Sequence, residues 1–408
     1  MKVQLWSYNY APEPTGVGPV STVLAEGLRD VGYEVTVVAA HPHYPSAKWG
    51  TRLLPYREER NGIQVLRLPL LIGRKTTGER IRQELSFMAY QFASLPFLGR
   101  PAVQVSVSPS FPALLPGLVN TQARRISWVL WLHDLLPDGA AATGIVEGGV
   151  VLRASRWLER AAYRAAKRVV VLSGSFVENL ASKGVPPSKL ELIYDPATRE
   201  PTLPVGPPSR RPRPPRILSM GNIGHTQGLA PLAAAFDCSE EMASLGSRLV
   251  ITGDGVAAGE VRSALANGLV EMLGLVSDER LEEELRSATL ALVSQAYDGT
   301  EFNLPSKLMN FMAYRLPIIA AVNPRSEVAR IVAEAGAGWV VDSSRPQLFP
   351  HTVASAVSRP DELDARAAAA AAYARDRFSR KGFIDKFDRV LREAVGAPTA
   401  QAGTRAAS

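Results

Sequence analysis

Two glycine-rich turns and one lysine stand where a protein could bind a phosphate. The turn from Gly221 to Gly228 directly follows a short apolar strand, and its small residues let backbone amides approach an anion closely. Farther along the chain, Pro305 and Ser306 precede Lys307 at the start of a predicted helix. A cation in the first turn opposes the helix dipole, so its presence is better explained when an anionic ligand shares the site. These residues together predict an anion-binding site.

An earlier turn has a similar form. Gly16 and Gly18 lie between the first predicted strand and the first helix, and a helix N-terminus favours an anion. The pattern lacks the third glycine of a dinucleotide fingerprint, which argues against NAD. A plain tight turn explains these two glycines equally well. The residues 253–255 form another glycine-containing turn, and the favoured interpretation is a structural turn in which Asp254 acts as a cap.

Short apolar strands that alternate with helical patterns must position these turns. In the first half of the chain we predict strands at 3–6, 35–39, 65–68, 103–107, 128–132 and 169–172. In the second half we predict them at 217–220, 248–252, 270–273, 290–294, 318–321 and 339–341. This alternation predicts an α/β fold built from parallel, doubly wound sheets. Two such domains would leave a cleft for ligands between the carboxyl ends of their strands.

A proline-rich segment divides the chain, and its length of 408 residues suits two or three domains. We predict a first Rossmann-like domain over 1–197, an extended linker over 198–215 and a second Rossmann-like domain over 216–377. A C-terminal helix at 378–396 is expected to cross back to the first domain, followed by a flexible tail at 397–408.

Composition excludes several classes of protein. Apolar residues make up 46% and charged residues 21%, which excludes a largely disordered chain. The single cysteine, Cys238, excludes an internal disulfide framework and a cysteine-based zinc site. No stretch predicts a transmembrane helix or a secretion signal, so we expect a cytoplasmic protein. Residues 1–200 hold 23 Lys+Arg against 16 Asp+Glu and therefore carry the whole net charge of +7. No nucleic-acid-binding motif is present.

The chain resembles the family 4 retaining glycosyltransferases of the GT-B fold, most closely the bacterial subgroup that includes colanic-acid and fucosamine transferases. The residues that carry this resemblance are Tyr8–Glu13 with Gly16 to Gly18, 133–138, 169–173 with Gly184 and Val185, 221–224 with Gln227 and Gly228, 253–255, 305–308 with Ala313 and Pro317, and 326–338. The resemblance implies that the first domain binds an acceptor and the second a nucleotide-diphosphate sugar, linked to UDP or GDP.

The family's residue roles transfer only to positions that match. The resemblance implies that Gly16 and Gly18 approach the donor phosphate or sugar, and that His133 lies near the transferred sugar as a catalytic residue. Val276, after Leu275, takes the position where the nucleotide base packs against backbone. Ser306 and Lys307 are expected to contact the diphosphate together with Gly221.

The sequence departs from the family pattern at two places. The family's Arg and Lys, five residues apart at the glycine turn, are replaced by Asn222 and Gln227, which are still predicted to contact the donor. A bond to a charged group contributes about 1.5–3 kcal/mol against about 0.5–1.5 kcal/mol for a neutral one, so Lys307 would have to offset this loss. The family's second glutamate is Asn310, whose amide can bind a ribose hydroxyl. The family's first glutamate aligns with the residue that follows Glu301. Glu301 itself is the second candidate catalytic residue.

The resemblance implies front-face transfer with retention, without a metal cofactor. The acceptor is expected to be a glycan precursor, a lipid-linked molecule or a small metabolite. Arg153, Arg156, Arg160, Arg164 and Lys167 recur at helical spacing, which indicates either a solvated helix face or contact with the inner face of a membrane. Two alternatives stay open at this point. One is a non-catalytic protein that binds sugar nucleotides, and the other is a nucleotide-sugar 2-epimerase.

Overall fold

The computed structural model describes residues 1–14, 16–43, 49–73, 76–108, 112–134, 150–210, 214–298 and 304–397. The chain forms two compact units. The first comprises Met1–Tyr194 together with Arg380–Ser408, and the second comprises Asp195–Ser379. Among the described residues, no helix combines the length and the apolar character needed to cross a membrane.

The first unit is built on an eight-stranded sheet. Its strands are β1 (Lys2–Ser7), β2 (Glu34–Ala40), β3 (Tyr56–Arg60), β4 (Ile63–Leu68), β5 (Val103–Ser108), β6 (Ser127–Leu132), β7 (Arg168–Val171) and β8 (Leu190–Leu192). The strand order is β3-β4-β2-β1-β5-β6-β7-β8, and every neighbouring pair is parallel except β3 with β4. The order reverses direction between β1 and β5, which is where ligands bind in open α/β sheets.

Helices cover both faces of this sheet. They are α1 (Gly18–Asp30), α2 (Thr77–Ser94), α3 (Leu114–Arg124), α4 (Val150–Ala165), α5 (Gly174–Ser182) and, from the far end of the chain, α14 (Arg380–Val395). Alternate strand residues face opposite layers, as the period of two in a strand requires. Leu5 packs in the core formed with α1 and α14, whereas Trp6 packs on the other face with Phe87 of α2.

The second unit has a six-stranded, fully parallel sheet. Its strands are β9 (Arg216–Met220), β10 (Arg248–Thr252), β11 (Val270–Gly274), β12 (Leu290–Ser294), β13 (Ile318–Val322) and β14 (Gly338–Asp342). The order β11-β10-β9-β12-β13-β14 places the reversal between β9 and β12. Its helices are α6 (Leu229–Asp237), α7 (Glu240–Ser244), α8 (Ala258–Ser263), α9 (Asp278–Ser287), α10 (Lys307–Ala313), α11 (Glu327–Glu334), α12 (Leu348–Val357) and α13 (Pro360–Arg377).

The predicted α/β fold with two doubly wound units is confirmed, and each predicted strand is present. The sequence did not reveal β3 and β8, because both are edge strands without the continuous apolar run of a buried parallel strand. The segment predicted to be a linker belongs to the second unit. There the backbone N and hydroxyl of Ser209 donate to the Asp364 carboxylate at 3.0 and 2.6 Å. Prolines exclude regular structure from this segment but do not prevent its packing.

Candidate functional site

The turn after β9 is joined to the turn after β10 through their backbones. The amide of Gly221 donates to the carbonyl of Thr252 at 2.9 Å, and the amide of Ile223 donates to that of Asp254 at 3.0 Å. A Cβ on Gly253 would lie 1.9 Å from the Gly221 carbonyl oxygen, so no larger residue fits there. Asp254 accepts the Gly255 amide at 2.8 Å, whereas the following helix has Ala257 at its N-cap without a side-chain hydrogen bond, so the predicted capping of that helix by Asp254 is not observed.

The loop after β12 completes this edge of the sheet. The amide of Ala296 donates to the carbonyl of Thr226 at 2.9 Å. Gly228, with φ of +54°, lies so close that a Cβ on it would be 3.1 Å from the Ala296 nitrogen. The glycine turn therefore lies at the reversal between β9 and β12, where parallel sheets leave a crevice for a ligand.

Lys307 extends to this glycine turn from the start of α10. Its Cε lies 3.8 Å from the position that a Cβ would take on Gly221. Within the described ranges no hydrogen bond or ion pair engages its ammonium group. Burial lowers the pKa of Lys307 to about 8, so the group is still mostly protonated at neutral pH. A half-buried cation that has no partner among the described residues, beside a glycine-rich turn, suits an anionic ligand.

The two neutral residues that replace the family's cations line the same turn. The Oε1 atom of Gln227 accepts the Gly224 amide at 2.8 Å and so closes the turn. The Nδ2 atom of Asn222 lies 3.0 Å from the position of a Cβ on Gly224, and its Oδ1 lies 2.8 Å from that of a Cβ on Gly255. The structure thus brings Asn222, Gln227 and Gly221 together with Lys307.

Asn310 is directed to another part of the same unit. Its Oδ1 accepts the backbone amides of Thr198 and Arg199 at 2.9 and 3.1 Å, and its Nδ2 donates to the Thr198 hydroxyl at 3.3 Å. The side chain is buried, and its carbonyl oxygen is occupied by these donors. Asn310 therefore braces the first residues of the second unit, and its predicted contact with ribose has no support in this geometry.

The remaining donor-binding candidates have different surroundings. Ser306 is exposed and precedes Lys307 without capping the helix through its hydroxyl. Val276 follows Gly274 at the end of β11, two strands from β9 in the sheet order, and is half-buried. Its neighbour Leu275 is 80% exposed, which leaves an apolar surface at that end of the sheet. Glu301 lies outside the described residues.

In the first unit, the turn after β1 lies at the reversal between β1 and β5. Gly16 has φ of +67°, in the left-handed region that favours glycine. Gly18 begins α1, and a Cβ on it would lie 2.9 Å from the carbonyl oxygen of Glu13. The N-cap position is Val17, whose side chain cannot accept a hydrogen bond, and no other described side chain caps this helix. Within the described part of the chain, the backbone amides at the start of α1 therefore have no side-chain acceptor.

His133 follows β6 directly and is held by aromatic packing. Its ring centroid lies 4.6 Å from that of Trp131, which packs against Phe383 and Phe387 of α14. Burial lowers the pKa of His133 to about 3, so its imidazole is neutral at physiological pH. A neutral imidazole can donate or accept one hydrogen bond at a sugar hydroxyl but is a poor source of a proton.

Sequence reasoning missed a buried acid beside the first glycine turn. Glu13 is 2% exposed and accepts hydrogen bonds from Asn9, Tyr10 and the backbone of His43. The sequence offered two signals: Glu13 ends the segment Tyr8–Glu13 that carries part of the family resemblance, and it is an acidic residue in a short turn with small residues and prolines. Its partner His43 is distant along the chain and could not be inferred.

Comparisons with known proteins show which families this chain is similar to. Residues 15–196 match the family described as "Glycosyl transferase 4-like domain", and residues 207–375 match "Glycosyl transferases group 1". The "putative colanic acid biosynthesis glycosyl transferase WcaI" of Escherichia coli K12 is 26% identical over 336 residues, which cover 77% of this chain and 81% of that protein.

Solved structures show the same fold. A sucrose-phosphate synthase from Thermosynechococcus elongatus superposes with a TM-score of 0.70 at 16% identity, covering 98% of this chain and all of that one. The Anabaena protein Alr3699/HepE, solved in complex with UDP, has a TM-score of 0.64 at 14% identity and covers 96% of this chain and 100% of its own.

Proposed function

The chain belongs to the family 4 glycosyltransferases with the GT-B fold, and we propose that it transfers a sugar, with retention, from a UDP- or GDP-linked donor. The observation that carries this proposal is the position of Lys307 against Gly221 at the reversal of the second sheet. The known binding of UDP by the Anabaena protein supports a nucleotide-sugar donor.

In this proposal the second unit stabilises the departing diphosphate. A sugar–diphosphate bond is already activated, so the protein must mainly hold the donor and stabilise the charge that develops on the leaving group. Lys307 supplies a positive charge, and the backbone amides of the glycine turn supply fixed dipoles, with Ser306, Asn222 and Gln227 as neutral donors. We propose that this set replaces a metal cofactor.

The first unit is proposed to bind the acceptor and to approach the sugar. Gly16 and Gly18 place backbone amides at the donor phosphate or sugar, and His133 hydrogen bonds to a sugar hydroxyl as a neutral imidazole. Glu301 is proposed as the carboxylate that contacts the transferred sugar. By similarity to WcaI, the product is a precursor of a bacterial polysaccharide, and a small-metabolite acceptor is the second candidate.

Thermal unfolding with nucleotides tests the donor site. We would measure the melting temperature with UDP, GDP, ADP and dTDP, each with and without magnesium. Ligand at 100 times its dissociation constant stabilises a protein by about 2.7 kcal/mol, which shifts the melting temperature by several degrees. One nucleotide that stabilises the protein equally without magnesium would support the proposal. The absence of any shift, or a shift that requires magnesium, would contradict it.

We also propose that helix α4 contacts the inner, anionic face of a membrane. Arg153, Arg156, Arg160, Arg164 and Lys167 are all exposed, and none forms an ion pair with a described residue. Trp157 on the same helix is 60% exposed, and an amphipathic ring of this kind suits the headgroup region. The pKa of Lys189 is lowered chiefly by burial, and the charges of Lys167 and Arg168 lower it further.

Binding to lipid vesicles tests this contact. We expect the protein to sediment with vesicles of phosphatidylglycerol but not with those of phosphatidylcholine, and sodium chloride should release it. The double variant R156E/R160E should lower the partition coefficient at least tenfold. The control R345E/R375E makes the same change in net charge on the second unit, and it should bind the vesicles as the wild type does. Equal binding to both lipids, or an equal loss in the control, would refute the contact.

A further inference from the structure

The buried carboxylate of Glu13 accepts hydrogen bonds at both of its oxygens. Oε1 of Glu13 accepts the backbone amide of His43 at 2.9 Å and lies 3.4 Å from the Nδ1 atom of that residue. Oε2 accepts the Nδ2 group of Asn9 at 3.1 Å and the amide of Tyr10 at 3.2 Å. The side chains of Glu13 and His43 are fully buried, so water does not compete for these donors.

A second buried charge holds the same turn. Arg67 of β4 is fully buried and donates to the carbonyl oxygens of Ala11 and Ala40, while its Nε bonds Glu58 at 2.9 Å. Glu13 and Arg67 therefore both tie the turn after β1 to the end of β2, one at each end of the segment 11–13. Buried charged groups that hydrogen bond to several backbone groups restrict the backbone around them.

This fixed segment leads directly into the glycine turn. The Ser7 hydroxyl donates to the Asn9 carbonyl at 2.6 Å and lies 3.0 Å from the Ser21 hydroxyl of α1. The carbonyl of Glu13 lies against Gly18, where a Cβ would come within 2.9 Å. A displacement of Glu13 must therefore move either Gly16 and Gly18 or the first turn of α1.

We propose that Glu13 is a positioning residue for glycosyl transfer, which acts by holding the amides of Gly16–Gly18 at the reacting sugar. This inference rests on the proposed function of that turn. The residue must be a carboxylate, because donors approach both oxygens. Glutamine offers one acceptor, so in either orientation its NH2 group would face a backbone or side-chain N–H.

Two variants and a matched control test the proposal. Glu13→Gln is expected to lower kcat by about 10- to 100-fold, the size of effect that a misplacement of about 1 Å produces, while nucleotide affinity in the second unit stays unchanged. Glu13→Asp keeps both acceptor oxygens and should retain more activity than Glu13→Gln. Glu159→Gln removes another buried carboxylate of the first unit, which bonds Lys183 and Tyr163, and kcat should stay within a fewfold of the wild type.

Amide hydrogen exchange separates this proposal from the proposed function. In Glu13→Gln, exchange at residues 16–20 should rise at least tenfold, while exchange in the second unit stays unchanged. If exchange rises in this way but the wild-type protein transfers no sugar, the proposed function is refuted, whereas the role of Glu13 in holding the turn is retained. Full activity in Glu13→Gln, or an equal loss of kcat in Glu159→Gln, would overturn the proposal. If Glu13→Gln does not fold, Asn9→Ala removes one donor and should show the same effects in weaker form.

Discussion

The Cε atom of Lys307 lies 3.8 Å from the position of a Cβ on Gly221, although Gly221 lies in the turn after β9 and Lys307 begins α10. Because Gly221 has no side chain, the lysine covers backbone at this point. The glycine also has φ of +99°, which other residues rarely adopt. The contact thus joins a flexible cation to a fixed set of amides at one edge of the sheet.

Removal of the Lys307 charge should weaken donor binding. For Lys307→Met we expect the dissociation constant of the preferred nucleoside diphosphate to rise about 10- to 150-fold, which corresponds to the loss of about 1.5–3 kcal/mol from a charged hydrogen bond. Titration calorimetry measures this constant. Thermal stability should not fall, because the described residues give the ammonium no partner to lose. Unchanged affinity would remove Lys307 from the site.

Donor affinity should fall as the pH rises through the pKa of Lys307. That pKa is about 8 in the free protein, so above pH 8 a diphosphate must bind together with a proton. We expect the dissociation constant to rise about tenfold between pH 7 and pH 9, and to stay constant in Lys307→Arg, which keeps its charge. Equal pH dependence in both proteins would assign the effect to another group.

The same pKa shift predicts the opposite trend for stability without ligand. The unfolded chain, in which the lysine has its ordinary pKa of about 10.4, binds more protons than the folded protein above pH 8. The contribution of Lys307 to the free energy of unfolding should therefore rise with pH from about 8 to about 10. Urea unfolding of the wild type and of Lys307→Met across this range measures the contribution as a difference.

A negative charge at Gln227 should weaken binding without disturbing the turn. In Gln227→Glu the carboxylate can still accept the Gly224 amide, which Gln227 bonds at 2.8 Å, so the melting temperature should stay close to that of the wild type. The new charge would repel a diphosphate, and we expect affinity to fall about tenfold. Gln227→Ala, in contrast, should lose about 0.5–1.5 kcal/mol of stability. Unaltered affinity in Gln227→Glu would place the diphosphate elsewhere.

Truncation of Asn310 should affect stability and leave nucleotide affinity unchanged. Asn310→Ala removes the acceptor of two part-buried hydrogen bonds, from the amides of Thr198 and Arg199, and at about 0.5–1.5 kcal/mol for each bond we expect a loss of about 1–3 kcal/mol in the free energy of unfolding. Asn310→Asp keeps an acceptor oxygen and should recover most of that loss. A dissociation constant at least tenfold higher in a folded Asn310→Ala protein would instead support the ribose contact that the sequence predicted.

The sequence by itself determined the fold class and most of the elements. Strands buried on both faces require continuous apolar runs, so twelve of the fourteen could be located from those runs, and the glycine turns could be placed at the ends of β1 and β9. The two missed strands, β3 and β8, lie at the edges of their sheet, where a strand has a partner on one side only.

Only the tertiary structure decided which side chains meet. Lys307 and Gly221 are neighbours because β9 and β12 pair in the sheet, and strand order is not encoded in the local pattern. Asn310, one helical turn after Lys307, bonds Thr198 instead of joining that site. Glu13 reads as an ordinary loop acid until the fold buries it against His43. The chemistry of each residue is local, whereas its surroundings depend on contacts between segments that are distant in the chain.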